Sequence, residues 1–212
     1  MIKKIRQIKL KLRACKNLVF KKDSFIYETG WINSIHQLAP VDNCNLPIPW
    51  MNYHFVKFVT ERLTEKMNIF EYGSGYSTIY WSNYVNYVNS VEYDKKWLNK
   101  MNKFHSHNVK VNFNDDIEGG SYSKSCIETN EKYDIIIIDG KKRVECIKYA
   151  YLGLNDNGVI ILDDSHRDEY IEGFLFLKEK GFKEITFSGI KPVSSKFAST
   201  TVFYKASNCL NI

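Results

Sequence analysis

Residues 69–94 read IFEYGSGYSTIYWSNYVNYVNSVEYD. An apolar run, Met67–Phe70, leads into an acid, Glu71, and then into a glycine turn, Gly73-Ser74-Gly75. A second short strand ends in another acid, Glu92. A tight turn, a helix start and an acid about twenty residues on form the logic of an adenosine-cofactor site in an open α/β sheet.

Outward from this stretch, strands and helices alternate. Strands are expected near 67–72, 87–92, 108–113, 133–138, 158–162, 183–188 and 199–205. Helices are expected near 1–20, 51–66, 77–85, 95–105, 143–154 and 168–180, with residues 23–50 irregular. Tyr133-Asp134 followed by Ile135–Ile138 reads as a strand buried on both faces. Asn157-Gly158 supplies a turn ahead of Val159–Leu162, and Gly181 closes the helix before it. Thr200–Tyr204 has no crossover helix ahead of it, so it is free to enter antiparallel after the loop around Pro192. This alternation predicts an α/β fold of three layers, a sheet with helices on both faces.

Four segments, EYGSGYST (71–78), VEYD (91–94), YDIIIIDG (133–140) and GVIILDD (158–164), then stand in family-like order and spacing. They resemble the first, second, fourth and fifth strand ends of the class I S-adenosylmethionine-dependent methyltransferases, over Asn68–Tyr204. The stretch from Gly30 to Trp50 is similar to the leader of small bacterial enzymes of that kind. The resemblance implies a Rossmann-like, seven-stranded, mostly parallel sheet of order 3-2-1-4-5-7-6 with its last strand antiparallel. It also implies S-adenosyl-L-methionine as cofactor and methyl transfer as activity. The family's third glycine is replaced by Ser77, whose hydroxyl is expected to cap the following helix.

Gly73, Ser74 and Gly75 turn the backbone sharply and clear space for a ligand beside the main chain. By resemblance, Glu71 meets the methionine-like end of the cofactor, directly or through water. Glu92 can accept hydrogen bonds from both ribose hydroxyls, and Tyr93 is placed to lie against the adenine. Asp94 is expected to cap the helix beginning at Lys95. Asp115 and Asp116 both suit the adenine amino group, with Asp116 preferred. Asp139 closes the strongest strand, where open α/β sheets place ligands, and it serves either the methyl-donor region or the acceptor.

His166 is the candidate general base, since its ordinary pKa lies near neutrality, with local pairing on an exposed loop as the competing reading. Arg143 and Arg167 suit an anionic acceptor, or else pair with nearby acids. Asp139, Asp163 and Asp164 are similar to the metal-binding trio of catechol-type O-methyltransferases, and oxygen ligands of this kind suit magnesium. Asp164 stands where those enzymes carry asparagine, and Asp139–Arg143 lacks their lysine. A hydrogen-bonded acid cluster is therefore expected in preference to a metal. Pro47–Trp50 is stiff and apolar, suited to a pocket wall, a lid or packing alone. His105 and His107 are expected to have no chemical role.

At 212 residues the chain fits one domain with a short appendage. Three parts are expected: a leader over 1–66 packed on the core, a cofactor-binding domain over 67–206 and a tail over 207–212. A hydrophobic content of 44% supports a real core and argues against disorder. No apolar run approaches about 18 residues, so no membrane span is expected. Cys15, Cys44, Cys126, Cys146 and Cys209 form no CxxC pair, which fits reduced thiols in a cytoplasmic protein.

The net charge of +6 divides unevenly. The first 22 residues hold nine basic side chains and no acid, and the remaining 21 basic and 24 acidic residues leave −3. Ile5, Ile8, Leu12, Cys15 and Val19 recur at helical spacing among the lysines and arginines. This basic amphipathic helix packs on the domain, rests on an anionic membrane or contacts a nucleic acid, in that order of preference. The acceptor expected is a small polar molecule such as a sugar, glycan precursor or metabolite, methylated at oxygen. Three alternatives remain: an inactive binding or scaffolding protein on the same fold, an RNA methyltransferase using the basic arm, and, least favoured, an NAD-linked oxidoreductase. The last would normally carry a glycine at Thr78. A homodimer stays open.

Overall fold

A computed structural model describes residues 2–104 and 106–212, with Ile2 described by its backbone alone, so His105 lies outside the described residues. The strands are β1 (Asn68–Tyr72), β2 (Tyr87–Glu92), β3 (Val109–Phe113), β4 (Tyr133–Ile138), β5 (Leu154–Leu162), β6 (Lys183–Lys191) and β7 (Ser194–Tyr204). The helices are α1 (Ile2–Phe20), α2 (Phe25–Glu28), α3 (Trp31–Gln37), α4 (Tyr53–Thr60), α5 (Tyr76–Trp81), α6 (Lys95–Met101), α7 (Ser121–Glu128), α8 (Arg143–Gly153) and α9 (Ile171–Glu179).

The strands form one seven-stranded sheet of order β3-β2-β1-β4-β5-β7-β6. β7 runs antiparallel to both β5 and β6, and the other pairs are parallel. Topology and direction are those expected. Tyr72 pairs with Val91 and Ile138, and Ile138 pairs with Leu162, which brings the ends of β1, β2, β4 and β5 level along one edge. The ladder runs one residue further: the Gly73 amide donates to Val91, Asp139 to Tyr72 and Asp163 to Ile138. Those loops therefore leave the sheet from fixed positions.

Side chains alternate between the two faces because a strand has a period of two. Ile136 and Ile138 join Phe70, Tyr72, Ile160 and Leu162 under α7, α8 and α9. Ile135 and Ile137 join Ile69, Val159 and Ile161 on the other face, against Phe55 and Val59 of α4 and Trp81 of α5. All four β4 isoleucines are at most 1% exposed, and each such burial contributes about 1.5–3 kcal/mol.

Several elements differ from expectation. Residues 23–50 hold the short helices α2 and α3, and Trp31 of the leader donates to the Ser194 carbonyl at 2.9 Å. The helix expected over 51–66 is shorter, starting where Asn52 accepts from the His54 and Phe55 amides. α7 was not expected because Tyr122 and Cys126 are its buried apolar residues, beside buried Ser123 and Ser125. β5 starts at Leu154, ahead of the turn at Asn157-Gly158, because its pairing with β4 shifts between Tyr133↔Leu154 and Ile135↔Val159 and absorbs that turn. The largest difference is α1: residues 3–20 are all exposed, and its main packing partner is α2. The expected packing of this helix on the domain is not found. Residues 207–212 fold back, with Leu210 fully buried and the Cys209 amide donating to Asn157 at 2.7 Å.

Candidate active site

Gly73 follows β1 at φ +90°, and a Cβ there would lie 3.2 Å from the backbone of Gly140. A side chain is thus strained by both conformation and space. Gly75 precedes α5 without a side-chain cap, so Ser77 lies inside the helix and does not cap it. The capping hydroxyl is that of Thr78, which accepts from the Gly75 amide at 2.9 Å and donates to Glu71. Glu71 is fully buried, and its Oε1 has no partner. Burial pushes its pKa up to about 8, the nearby Ser77 hydroxyl and the bond from Thr78 oppose the rise, and Asp139 adds to it.

Glu92 ends β2 as an anchor for the glycine loop. One carboxylate oxygen accepts from the Ser74 amide and hydroxyl, the other from the Tyr93 and Asp94 amides, at 2.8–3.2 Å. Asp94 caps α6 as expected, accepting from the Lys96 and Trp97 amides. Trp97, which the sequence did not single out, donates its Nε1–H to the Ser74 carbonyl at 2.7 Å and walls the loop. The resulting cleft, of about 390 Å³, is lined by Gly73–Ser77, Glu92–Asp94, Trp97, Asp139 and Gly140, with Pro40 and Trp50 from the leader. Trp50 therefore forms part of the glycine-loop cleft.

A second cleft, of about 520 Å³, adjoins the first at Tyr93, Asp139 and Gly140. Lys141–Glu145, Arg167, Glu169 and Tyr170 form its other walls. Asp139 thus faces both clefts. Its side chain keeps 27% of its surface, and Oδ1 pairs with Arg143 at 2.9 Å. Partial burial first, then Asp163, raises its pKa toward neutrality, while Arg143 and Lys191 oppose the rise.

Arg143 is 9% exposed and donates to the carbonyls of Gly140, Asp163 and Asp139 as well as to the Asp139 carboxylate. It ties the ends of β4 and β5 together, so its guanidinium is committed to the protein and not to an anionic acceptor. Arg167 is likewise paired, with Asp164 at 2.5 Å and Glu169 at 3.8 Å. The competing reading of both arginines, pairing with nearby acids, describes this geometry.

Asp163 and Asp164 meet a cation that the sequence did not reveal. Lys191, at the end of β6, lies 3.4 Å from Asp163 and 2.6 Å from Asp164. Asp163 also accepts from Thr200 at 2.6 Å. Burial and then Asp164 raise the Asp163 pKa against the pull of Lys191, whereas Lys191 and Arg167 overcome burial and lower that of Asp164. The lysine supplies the positive charge that a metal would bring to a carboxylate cluster. Among the described residues, no group of acids, histidines and cysteines is arranged to hold a metal ion.

Two expected site residues fall elsewhere. The exposed His166 accepts from the Ser199 amide on Nδ1 at 3.3 Å and opens on a third cleft with Ile171 and Phe174, which shares Arg167 with the second. It lines neither of the two clefts that meet at Asp139. The exposed Asp116 bends back to accept from the Gly119 and Ser121 amides, and bonding from Ser121 first, then Gly119, holds its pKa below the usual carboxylate value. It lines neither of the joined clefts.

Solved structures share this architecture. A precorrin-6y C5,15-methyltransferase from Geobacter metallireducens GS-15 is 19% identical, with a TM-score of 0.54 over 72% of this chain and 87% of that one. The chain has the class I methyltransferase fold. An rRNA methylase from Streptococcus thermophilus matches at 14% identity and a TM-score of 0.53, over 70% of this chain and 93% of that one. A candidate methyltransferase from Streptococcus mutans, in complex with SAH, matches at 14% identity and 0.50, over 70% and 94%. No family model matches the chain. No curated protein matches it either. At such identities the methyltransferase fold is what the likeness carries, and one fold hosts many chemistries. No described helix is long and apolar enough to cross a membrane.

Proposed function

We propose that this protein is an S-adenosylmethionine-dependent methyltransferase acting at oxygen on a small polar acceptor such as a sugar, glycan precursor or metabolite. The observation that carries this reading is the meeting of two clefts at Asp139, one of them built on the glycine loop. The residues present fit the cofactor. Gly73 leaves a cradle that a Cβ would fill, and the buried Glu71 Oε1 lacks a partner. Gly73, Ser74 and Gly75 would hold the cofactor with Glu71, Glu92 would take the ribose in exchange for its 3.2 Å bond from the Ser74 hydroxyl, and Tyr93 would flank the base. The cofactor supplies an electrophilic methyl group.

The second cleft receives the acceptor. Asp139, raised toward neutrality, replaces His166 as the base that accepts the acceptor's hydroxyl proton. Arg143 orients that carboxylate and keeps it in the junction. Positioning of the acceptor oxygen supplies much of the remaining rate.

Calorimetric titration with S-adenosylmethionine and S-adenosylhomocysteine tests the reading. Binding is expected for the wild type and lost in Gly73→Asp and Glu92→Ala. A folded wild type that binds neither compound overturns it. In a screen of hydroxylated acceptors, Asp139→Asn is expected to lower turnover by roughly 10²–10⁴-fold, the usual worth of a general base.

A further inference from the structure

α1 is a 19-residue helix, about 28 Å long, whose side chains from Lys3 to Phe20 are all exposed. Ile5, Ile8, Leu12, Cys15 and Val19 fall on one stripe at 3.6 residues per turn, and Leu12 alone leaves 65% of its surface in solvent. At this periodicity Lys4 and Lys11 border the stripe on one side, and Lys9 and Lys16 on the other. Arg6 and Arg13 stand behind. Among the described residues this face is left exposed, and α1 packs chiefly on α2.

We propose that α1 docks the protein on an anionic phospholipid surface, apolar stripe inward, with the bordering lysines reaching the phosphates. The arrangement fits that partner better than two others. A nucleic acid would engage the charge and leave the apolar stripe in water. A second copy would bring nine basic side chains, with no acid among the first 22 residues, against nine more. Lysine stems alongside apolar residues suit the boundary between acyl chains and headgroups. The net charge of −3 over the rest of the chain leaves the attraction to the basic segment alone. A peripheral contact is implied, because no described helix is able to span a bilayer.

Co-sedimentation of the full chain with vesicles tests this, using phosphatidylcholine alone and phosphatidylcholine with about one third phosphatidylglycerol. Binding to the anionic vesicles alone is expected, weakening as salt rises. Ile8→Gln with Leu12→Gln retains every charge and removes buried apolar area, so affinity should fall roughly tenfold or more. Lys4→Gln with Lys11→Gln should weaken binding by about fivefold per lysine. Equal binding to both vesicle types overturns the proposal, as does no binding or wild-type affinity in the Ile8/Leu12 variant. A single-stranded RNA oligonucleotide that binds in preference to anionic vesicles, with unchanged affinity in that variant, assigns the helix to nucleic acid instead. A lipid-free dimer by light scattering that disappears in the same variant assigns it to a second copy.

Discussion

Glu71 is an acid folded into a place where its charge is costly. Its pKa of about 8 exceeds the ordinary value of 4.5, so the native state holds a proton that the unfolded chain has released. The sign follows from linkage: where the folded state binds more protons, stability falls as pH rises. The stabilising contribution is complete below about 4.5 and is lost progressively up to about 8. Glu71→Gln cannot titrate, so its urea midpoint between pH 5 and 9 should decline less than that of the wild type. Parallel declines would mean that another group titrates. The acid and its place at a strand end are visible in the sequence at Glu71-Tyr72-Gly73. Its protonation depends on burial and on Asp139, which lies 68 residues away in sequence. His166 shows the reverse case: a residue with suitable chemistry and a suitable strand end, turned aside by a bond from the Ser199 amide.

Elements built on local pattern were legible. α9 ends in a Schellman turn, with the Gly181 amide donating to Lys178 and that of Phe182 to Leu177, as a glycine at φ +81° permits. The hairpin of β6 and β7 was legible as two strands around Pro192, but not in what it delivers. Its pairing register brings Lys191 opposite Ser194 and over the acids at the end of β5. Lys191→Met removes the ammonium and leaves two buried carboxylates short of a counter-charge. A loss of about 3 kcal/mol is expected by urea unfolding near pH 7, toward the lower end for breaking a buried pair because Asp164 keeps Arg167 and Asp163 keeps Thr200. The deficit should shrink as pH falls and Asp163 is protonated. A deficit independent of pH would show that Lys191 acts through packing.

At the scale of the whole molecule, α1 packs chiefly on α2 and outside the sheet. Removal of residues 1–22 eliminates a helix whose described side chains are all exposed, so the urea midpoint of the domain should move by no more than about 0.5 kcal/mol equivalent. A larger loss would reveal that the segment supports the sheet. The sequence by itself determined the seven strands, their order of appearance, the glycine loop and the acids Glu71, Glu92 and Asp139 at the strand ends. Those features are local: apolar runs, turn residues and helix caps act over a few neighbours. Tertiary structure alone decided that Thr78 rather than Ser77 caps α5, that Arg143 clamps two strands, that Lys191 bridges the acid pair and that His166 lines neither of the clefts that meet at Asp139. It also left α1 uncovered and brought Leu210 into the core. Each of these outcomes depends on which distant groups share a site once the sheet has closed, and charge, burial and hydrogen bonding are set by that company.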